Sequence, residues 1–356
     1  MNILAIESSC DETSAAIVQD GRHVLCNLIS SQIDIHRVFG GVVPEIASRK
    51  HLEVINHLLE AALAEAKLTF DDIHLVAVTR GPGLLGALLV GISAAKALSF
   101  MLDIPIVGVN HMVGHVSANY LAHPDLKPPF LSLVVSGGHT YFCVVEDYAH
   151  VKILGETVDD AAGESFDKVA RVLGLGYPGG PAIQRAAEAG DPEAFDFPRA
   201  MMGKDDGLNV SFSGLKTAVI NTVHTLEQKG EGVPTSDIAA SFQAAVIDTL
   251  VTKAKRLMDQ YPGLSRFALS GGVAANAALQ NALKALCEKR GLAFYVPPAI
   301  LCTDNAAMIG CAGYYQYMTR GTSELDFAAE PDLALGAPDP GDQDIPTEVL
   351  VDLLNE

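Results

Sequence analysis

Two histidines, His111 and His115, stand four residues apart in the segment HMVGH. This spacing puts both imidazoles on one face of a helix, the geometry that a divalent metal needs from two ligands on one element. Met112 stands where an H-E-x-x-H zinc protease has its glutamate, so the pattern argues against that chemistry. Surface histidines also reach this spacing by chance, so the pair alone leaves a metal site and a coincidence both open.

A metal site would need a third ligand, and Asp304 is the candidate. It lies in CTDN (302–305), where the last long helical segment opens. From the local sequence alone, a helix N-cap is the stronger interpretation of an aspartate at this place. Spacing along the chain does not show whether Asp304 lies beside the two histidines.

The elements that would position these residues form two similar series. In the first, apolar or alternating segments predict strands and helical spacing predicts helices. The strands are at residues 2–6, 14–19, 23–29, 73–79 and 104–109. One helix is at about 46–67, a second follows residue 83 and ends at 101, and a third carries the histidine pair. The pattern then restarts, with strands at residues 130–135, 141–146, 151–154 and 266–270.

This repeat predicts an α/β fold of two related domains with a ligand cleft between them, where ligands gather at the carboxyl ends of strands. The first domain is expected at residues 1–128 and contains the histidine pair. The second is expected at residues 129–325, with its last helix (304–320) packing back at the cleft. Residues 326–356 form an acidic tail, which we expect to be solvated and partly disordered.

Glycine-rich turns at the strand ends are a second chemical signal. Glycine lets backbone N–H groups approach and cradle a phosphate, although any single pair can simply make a tight turn. Several in one chain favour nucleotide binding, and no Walker lysine motif is present. The segments are RGPG (80–83), SGG (136–138), GYPGGP (176–181) and SGG (270–272).

Composition limits the possible partners and compartment. The 356-residue chain carries 43 acidic and 24 basic side chains, a net charge of −19, and ten of the acids follow Arg320. Such a chain is a poor solitary binder of nucleic acid, because phosphate contacts come from Lys and Arg. The six cysteines form no C-x-x-C pair, which indicates a reducing cytoplasm. The apolar segment ending at Lys96 is too short for a membrane span and predicts a buried helix.

Seven segments together resemble the TsaD family of tRNA N6-adenosine threonylcarbamoyltransferases, in order and over roughly residues 1–321. They are ESSCDET (7–13), GGVVPE (40–45), HMVGH (111–115), SGGHT (136–140), DDAAGESFD (159–167), SFSGLKT (211–217) and CTDN (302–305). The resemblance implies a fold of the actin, heat-shock ATPase and sugar-kinase type. It also implies transfer of a threonylcarbamoyl group from threonylcarbamoyl-adenylate to N6 of the adenosine 3′ of the anticodon, with release of AMP. The tRNAs concerned read codons that begin with A.

The resemblance also implies roles for individual residues. His111, His115 and Asp304 would hold one divalent ion per subunit, Fe²⁺ in first place and Zn²⁺ as the alternative. A further set would line the adenylate and acyl site in the second domain. This set comprises Val134, Val135, Ser136, Gly137, Gly138, Asp167, Gly180 and Asn276.

The adenine amine is a weak nucleophile, so the acyl donor must be activated and held in line. Asp11 is the candidate to take or orient the amine proton, with Glu12 as its neighbour, although both could simply cap the turn. Lys216 could balance phosphate charge or form only a surface salt bridge. The acceptor base must be splayed out of its loop to reach the cleft.

Partners and competing functions follow from the same observations. The family works with a TsaB-like paralogue and a TsaE-like small ATPase, and we expect these to complete the tRNA-binding surface. The apolar helices between Ile46 and Met101 are the predicted paralogue interface. The alternatives are a metalloprotease, a sugar kinase or ATPase of the same fold, and a non-enzymatic scaffold. A metalloprotease would need a glutamate where Met112 stands. A sugar kinase or ATPase has no obvious use for the three metal-binding residues, and a non-enzymatic scaffold has no need of them.

Overall fold

The computed structural model describes residues 1–203 and 205–336. These residues form two five-stranded mixed sheets with helices packed around them. The first sheet contains β1 Asn2–Glu7, β2 Glu12–Gln19, β3 His23–Ser31, β4 Leu75–Gly81 and β5 Ile106–Asn110. Its helices are α1 Ile33–Arg37, α2 Pro44–Ala66, α3 Leu85–Leu102 and α4 His111–Ala122.

The second sheet contains β6 Phe130–Val135, β7 Thr140–Val145, β8 Val151–Glu156, β9 Arg266–Ser270 and β10 Ala293–Tyr295. The helices of this half are α5 Ala162–Val172, α6 Gly179–Ala187, α7 Ser213–Gln228, α8 Thr235–Gln260, α9 Ala277–Arg290, α10 Ala299–Cys302 and α11 Ala306–Arg320. The predicted strands at 130–135 and 266–270 are confirmed at the same bounds. The prediction missed α1 and the three-residue β10.

Both sheets have the same topology, as the predicted repeat requires. The strand order is β3-β2-β1-β4-β5 in the first and β8-β7-β6-β9-β10 in the second. In each, a central strand pairs antiparallel with a hairpin strand on one side and parallel with a crossover strand on the other. The carboxyl ends of β1 and β6 therefore occupy equivalent places in the two halves.

Alternation along β1 shows how both faces of the first sheet are buried, because successive side chains point to opposite faces. Leu4 and Ile6 pack with apolar side chains of α2 and α3. Ile3 and Ala5 pack with α11, which crosses over from the second half. In return, α4 packs against the second sheet through Met112, Val116 and Tyr120.

Helix α3, predicted as a buried helix, packs one face against the protein and leaves the other exposed. Among the described residues it is the one helix long and apolar enough to span a membrane, and 44% of it is buried inside the protein. Its buried face lies on the first sheet, whereas Leu85, Leu89, Phe100 and Met101 are exposed.

Residues 326–336, which follow α11, pack across the surface of the first half, and we call this segment the strap. Glu330 N–H donates to the Arg80 carbonyl, and Asn110 Nδ2 donates to the Ala334 carbonyl at 3.0 Å. Phe327 and Leu335 are both buried. Residues 326–336, the start of the predicted acidic tail, are therefore not a solvated end, and the remainder of that tail lies outside the described residues.

Candidate functional site

His111, His115 and Asp304 come together where the first turn of α4 meets the start of α11. Asp304 Oδ1 lies 3.3 Å from His111 Nε2 and 3.3 Å from His115 Nε2. One possible ligand atom from each residue lies within 4.8 Å of the others. Asp304 is not the helix cap that its local sequence favoured, because Asn305 takes that role by accepting a hydrogen bond from Met308 N–H.

This donor set fits a divalent metal. His115 is fully buried, its Nδ1 has no hydrogen-bond partner among the residues described, and its Nε2 faces the Asp304 carboxylate at 3.3 Å outside hydrogen-bond geometry. A buried polar atom without a partner is rare in folded proteins, and a ligand is one way to satisfy it. Two imidazoles and one carboxylate suit Zn²⁺ or Fe²⁺ and leave coordination positions open for substrate.

Burial and neighbouring charges have opposing effects on the pKa values of these three residues. Burial favours the neutral form of His111, but the Glu7 and Asp304 carboxylates raise its pKa well above the ordinary value. Burial lowers the pKa of His115. Burial opposes ionisation of Asp304, but the two histidines hold its pKa far below the usual range. Asp304 is therefore an anion, as a metal ligand should be.

Glu7 was not among the predicted site residues, yet it contacts His111 on the side of the ring opposite Asp304. Glu7 Oε2 is 2.9 Å from His111 Nδ1 and accepts a hydrogen bond from Thr79 Oγ1 at 2.5 Å. Its other oxygen accepts from Ser9 N–H at 2.5 Å. Glu7 is the last residue of β1 and stands in the ESSCDET motif, but no local pattern links it to a residue 104 positions away.

Asp11 and Glu12 lie on the first half, where β2 begins. Asp11 is buried, and its Oδ2 accepts a hydrogen bond from the Tyr177 hydroxyl of the second half at 3.1 Å. Burial, together with the charges of Asp11 and Asp304, raises the pKa of Glu12 to about 9. The hydrogen bond from Tyr177 connects Asp11 to the second half, and the role of Asp11 as a proton acceptor stays a prediction.

The predicted adenylate residues of β6 lie at its carboxyl end. Val134 and Val135 are buried in the strand, and Ser136 begins the turn that Gly137 and Gly138 continue into solvent. The turn is closed by Ser136 N–H donating to the His139 carbonyl at 2.8 Å. A Cβ on either Gly137 or Gly138 would meet no atom within 4 Å, so their backbone faces open space.

Asp167 contacts the first residue of α6, Gly179, and Gly180 is the next residue of that helix. Asp167 Oδ1 accepts a hydrogen bond from Gly179 N–H at 2.7 Å, and burial raises the pKa of Asp167 to about 6. Gly180 has open space where a Cβ would stand.

Asn276 lies beside α6 at the start of α9. It caps α9 by accepting from Leu279 N–H and donates to Gln243 at 2.8 Å. The next residue, Ala277, donates its N–H to Gln184 of α6 at 3.0 Å.

Lys216 lies on α7, where its charge is paired with a carboxylate. Its Nζ is 2.5 Å from Asp160 Oδ2, and Lys168 reaches the other Asp160 oxygen at 3.1 Å. Burial of Asp160 raises its pKa, but the two lysines outweigh this and hold it below the ordinary value. The salt-bridge alternative for Lys216 is thus present in the structure, and its phosphate role stays a prediction.

The four glycine turns differ in how much space they leave. A Cβ on Gly83 would stand 2.6 Å from the Ser9 carbonyl, and Gly81 packs against the Glu330 backbone of the strap. The RGPG turn is therefore filled by protein, which agrees with the alternative that a single glycine pair simply makes a tight turn. Open space lies at Gly137, Gly138, Gly180 and Gly272, all in the second half.

Comparison with known proteins agrees with this arrangement. The family model TsaD, tRNA N6-adenosine threonylcarbamoyltransferase, matches residues 23–311. Proteins named tRNA N6-adenosine threonylcarbamoyltransferase from Clostridium botulinum (strain 657 / Type Ba4) and Clostridium perfringens (strain ATCC 13124) are each 55% identical to the chain. These alignments run over 337 and 334 residues and cover 94% of this chain and 98% of each relative.

Solved structures show a similar fold at low sequence identity. Full-length HypF in its phosphate- and nucleotide-bound form matches with a TM-score of 0.58 and 17% identity, over 90% of this chain and 47% of HypF. The Acidaminococcus fermentans (R)-2-hydroxyglutaryl-CoA dehydratase component A matches with a TM-score of 0.51 and 14% identity, over 89% and 98% of the two chains. These likenesses support the two-domain α/β fold, and the matches at 55% identity decide the family: the chain belongs to the TsaD family of tRNA N6-adenosine threonylcarbamoyltransferases.

Proposed function

We propose that the chain transfers a threonylcarbamoyl group from threonylcarbamoyl-adenylate to N6 of the adenosine 3′ of the anticodon, in tRNAs reading codons that begin with A. The observation that carries this proposal is the 55% identity over 94% of the chain to a threonylcarbamoyltransferase. Membership of that family makes the chain a transferase that modifies tRNA. It also decides against the protease, kinase and scaffold alternatives.

We infer that His111, His115 and Asp304 hold one divalent ion, with Fe²⁺ first and Zn²⁺ second. The convergence of His111 Nε2 and His115 Nε2 on Asp304 Oδ1, each at 3.3 Å, and the ionised state of Asp304 support this assignment. When bound, such an ion would polarise and orient a carbonyl oxygen of the donor.

The residues of the chain would supply position and proton transfer. We place the adenylate along the open turns of the second half, where Gly137, Gly138 and Gly180 leave room for a ligand. Attack of N6 on the carbamoyl carbon forms the new C–N bond and breaks the bond to the AMP oxygen. Asp11 would take the proton that N6 loses, held in place by the Tyr177 hydroxyl.

Helices α2 and α3 of the first half expose an apolar surface for which we propose a protein partner. Leu52 of α2 and Leu85, Leu89, Phe100 and Met101 of α3 are exposed apolar side chains. Exposed apolar groups of this kind favour a protein partner, for which we propose the TsaB-like paralogue. A TsaE-like ATPase would complete the set, because a chain of net charge −19 needs help to hold tRNA. We place the reaction in the cytoplasm, which the six free cysteines support.

Transfer of labelled threonine into unmodified tRNA tests the activity. The assay supplies the partners, bicarbonate and ATP to the native chain, to His111→Ala, and to His224→Ala as a control at an exposed histidine of α7. We expect label with the native chain and the control and little with His111→Ala. Absence of label with the native chain, beside a working positive control, would refute the transferase. Full activity of His111→Ala would refute the metal centre.

A further inference from the structure

The carboxylate of Glu7 is completely buried, with 0% of the residue exposed. A charge at this depth is tolerated only when hydrogen bonds replace its water. Three donors surround it, namely Ser9 N–H on Oε1, and Thr79 Oγ1 and His111 Nδ1 on Oε2. Two of these partners belong to the frame of the first half, and the third is a residue of the metal centre.

We propose that Glu7 is a positioning residue of the metal centre, which holds His111 by its Nδ1–H and so presents an unprotonated Nε2 beside His115 and Asp304. This inference rests on the metal site of the proposed function. An ionised carboxylate only accepts hydrogen bonds, so the ring nitrogen that faces Glu7 carries a proton, and in the neutral ring that a metal binds the other nitrogen keeps its lone pair. Carboxylates in this position orient metal-binding histidines and raise their basicity.

The two histidines are held differently, which makes Glu7 specific to one of them. His111 Nδ1 has Glu7 at 2.9 Å and Ser9 Oγ at 3.3 Å, whereas His115 Nδ1 has no hydrogen-bond partner among the described residues. The buried His115 ring is oriented by packing and by Asp304, which faces its Nε2 at 3.3 Å. Loss of Glu7 should therefore free the tautomer of His111 while leaving that of His115 unchanged.

Glu7 is itself fixed from two directions. Thr79 belongs to β4, the parallel neighbour of β1, and Ser9 begins the turn that leads to Asp11. Because these donors occupy both oxygens, the carboxylate has little freedom to turn away from His111. The end of the central strand thus connects the sheet to the histidine helix.

The test compares the native chain, Glu7→Gln and Ser8→Ala. Glutamine keeps the size of Glu7, but its single carbonyl oxygen cannot accept from donors on both sides. Ser8→Ala is the matched control, because Ser8 is also buried at the end of β1 and donates to the Ala87 carbonyl at 3.0 Å, away from His111. Affinity for Zn²⁺ and Co²⁺ is measured by competition with a chromophoric chelator. The ¹⁵N shifts of labelled histidines in the zinc-loaded protein report which His111 nitrogen keeps its proton, and thermal unfolding checks the fold.

We expect Glu7→Gln to bind both metals about 10- to 100-fold more weakly, with an altered His111 tautomer, and Ser8→Ala to match the native chain. Native affinity and an unchanged tautomer in Glu7→Gln would overturn the role of Glu7 and leave the metal centre standing. An equal loss in Ser8→Ala would overturn it too, because the effect would then be a general one of the strand end. Failure of the native chain to bind either metal would overturn the metal centre together with this inference.

Discussion

Gly114 stands between the two histidines on α4, and its lack of a side chain lets α4 approach α11. A Cβ at this position would lie 2.8 Å from Ile309 Cδ1 and 3.3 Å from Met308 Cγ. Carbon atoms in contact prefer about 3.5–4.0 Å, so Gly114→Ala must move the two surfaces apart by roughly 0.7–1.2 Å or displace the isoleucine. Ile309 is completely buried, which makes that displacement costly.

The expected change in stability is the balance of two opposing effects. Alanine is favoured over glycine in a helix by about 1 kcal/mol. Overpacking a well-packed interior costs about 1–3 kcal/mol. We therefore expect Gly114→Ala to lower the free energy of unfolding by about 1 kcal/mol. Because α11 follows directly after Asp304, the same displacement should separate Asp304 from the histidines and weaken Zn²⁺ binding about tenfold, through misplaced ligands.

Urea unfolding in the presence of a chelator measures the free energy of unfolding of the metal-free protein. Competition with a chromophoric chelator measures the affinity for Zn²⁺. Gly214→Ala is the control, because Gly214 lies in the first turn of α7 with open space where a Cβ would stand. It should be neutral or stabilising, and it should leave metal affinity unchanged.

A second substitution tests the contact itself. Ile309→Val removes the Cδ1 that a Cβ at Gly114 would meet, and alone it should cost about 0.5–1.5 kcal/mol. Combined with Gly114→Ala, the new methyl group occupies the vacated space. The double variant should then be about 1 kcal/mol more stable than the sum of the single changes predicts. Additive effects would refute the reasoning, because the helices would then not meet at this contact.

Three further predictions concern the cleft and the strap. Tyr177→Phe removes the hydroxyl that donates to Asp11 and should lower the transfer rate about tenfold in single-turnover assays without unfolding the chain; an unchanged rate would contradict the positioning of Asp11. Burial raises the pKa of Asp167 to about 6 from an ordinary 3.8, so ionisation in this window favours the unfolded chain. The stability of Asp167→Asn relative to the native chain should therefore increase as the pH rises from about 4 to 6 in denaturant titrations, and a constant difference would contradict it. Phe327→Ala should cost about 2 kcal/mol in urea unfolding, because the ring is buried against the first half with Lys96 Nζ 4.5 Å from its centre, and a loss under 0.5 kcal/mol would mean that the strap is not anchored there.

Most of the strands could be predicted because each central strand is a continuous apolar run bounded by turn residues. The elements missed are those without such a signal. β10 has three residues, none of them fully buried, so no period could reveal it. The packing of residues 326–336 was also missed, because two separate apolar anchors, Phe327 and Leu335, are a weak pattern within an acidic segment.

Site residues were also predictable only where a local pattern marks them. His111 and His115 could be found from spacing, since both belong to one helix. Asp304 was a candidate third ligand from the sequence, but only the resemblance joined it to the histidines, because it lies 193 positions after His111 and local sequence favoured a helix cap. Glu7 was missed altogether, because a carboxylate at the end of a strand is indistinguishable from a solvated turn residue until the fold buries it.

The position of the triad follows from the repeated topology of the two halves. In each half a long helix comes after the outermost parallel strand, α4 directly after β5 and α11 after β10 and the short α10, and each begins with an asparagine cap, Asn110 or Asn305. Each helix packs on the sheet of the other half as well as on its partner helix. The starts of both helices therefore meet between the halves, with the histidines on one and Asp304 before the other. Neither half contains all three residues, so the metal centre depends on the two halves being correctly packed together.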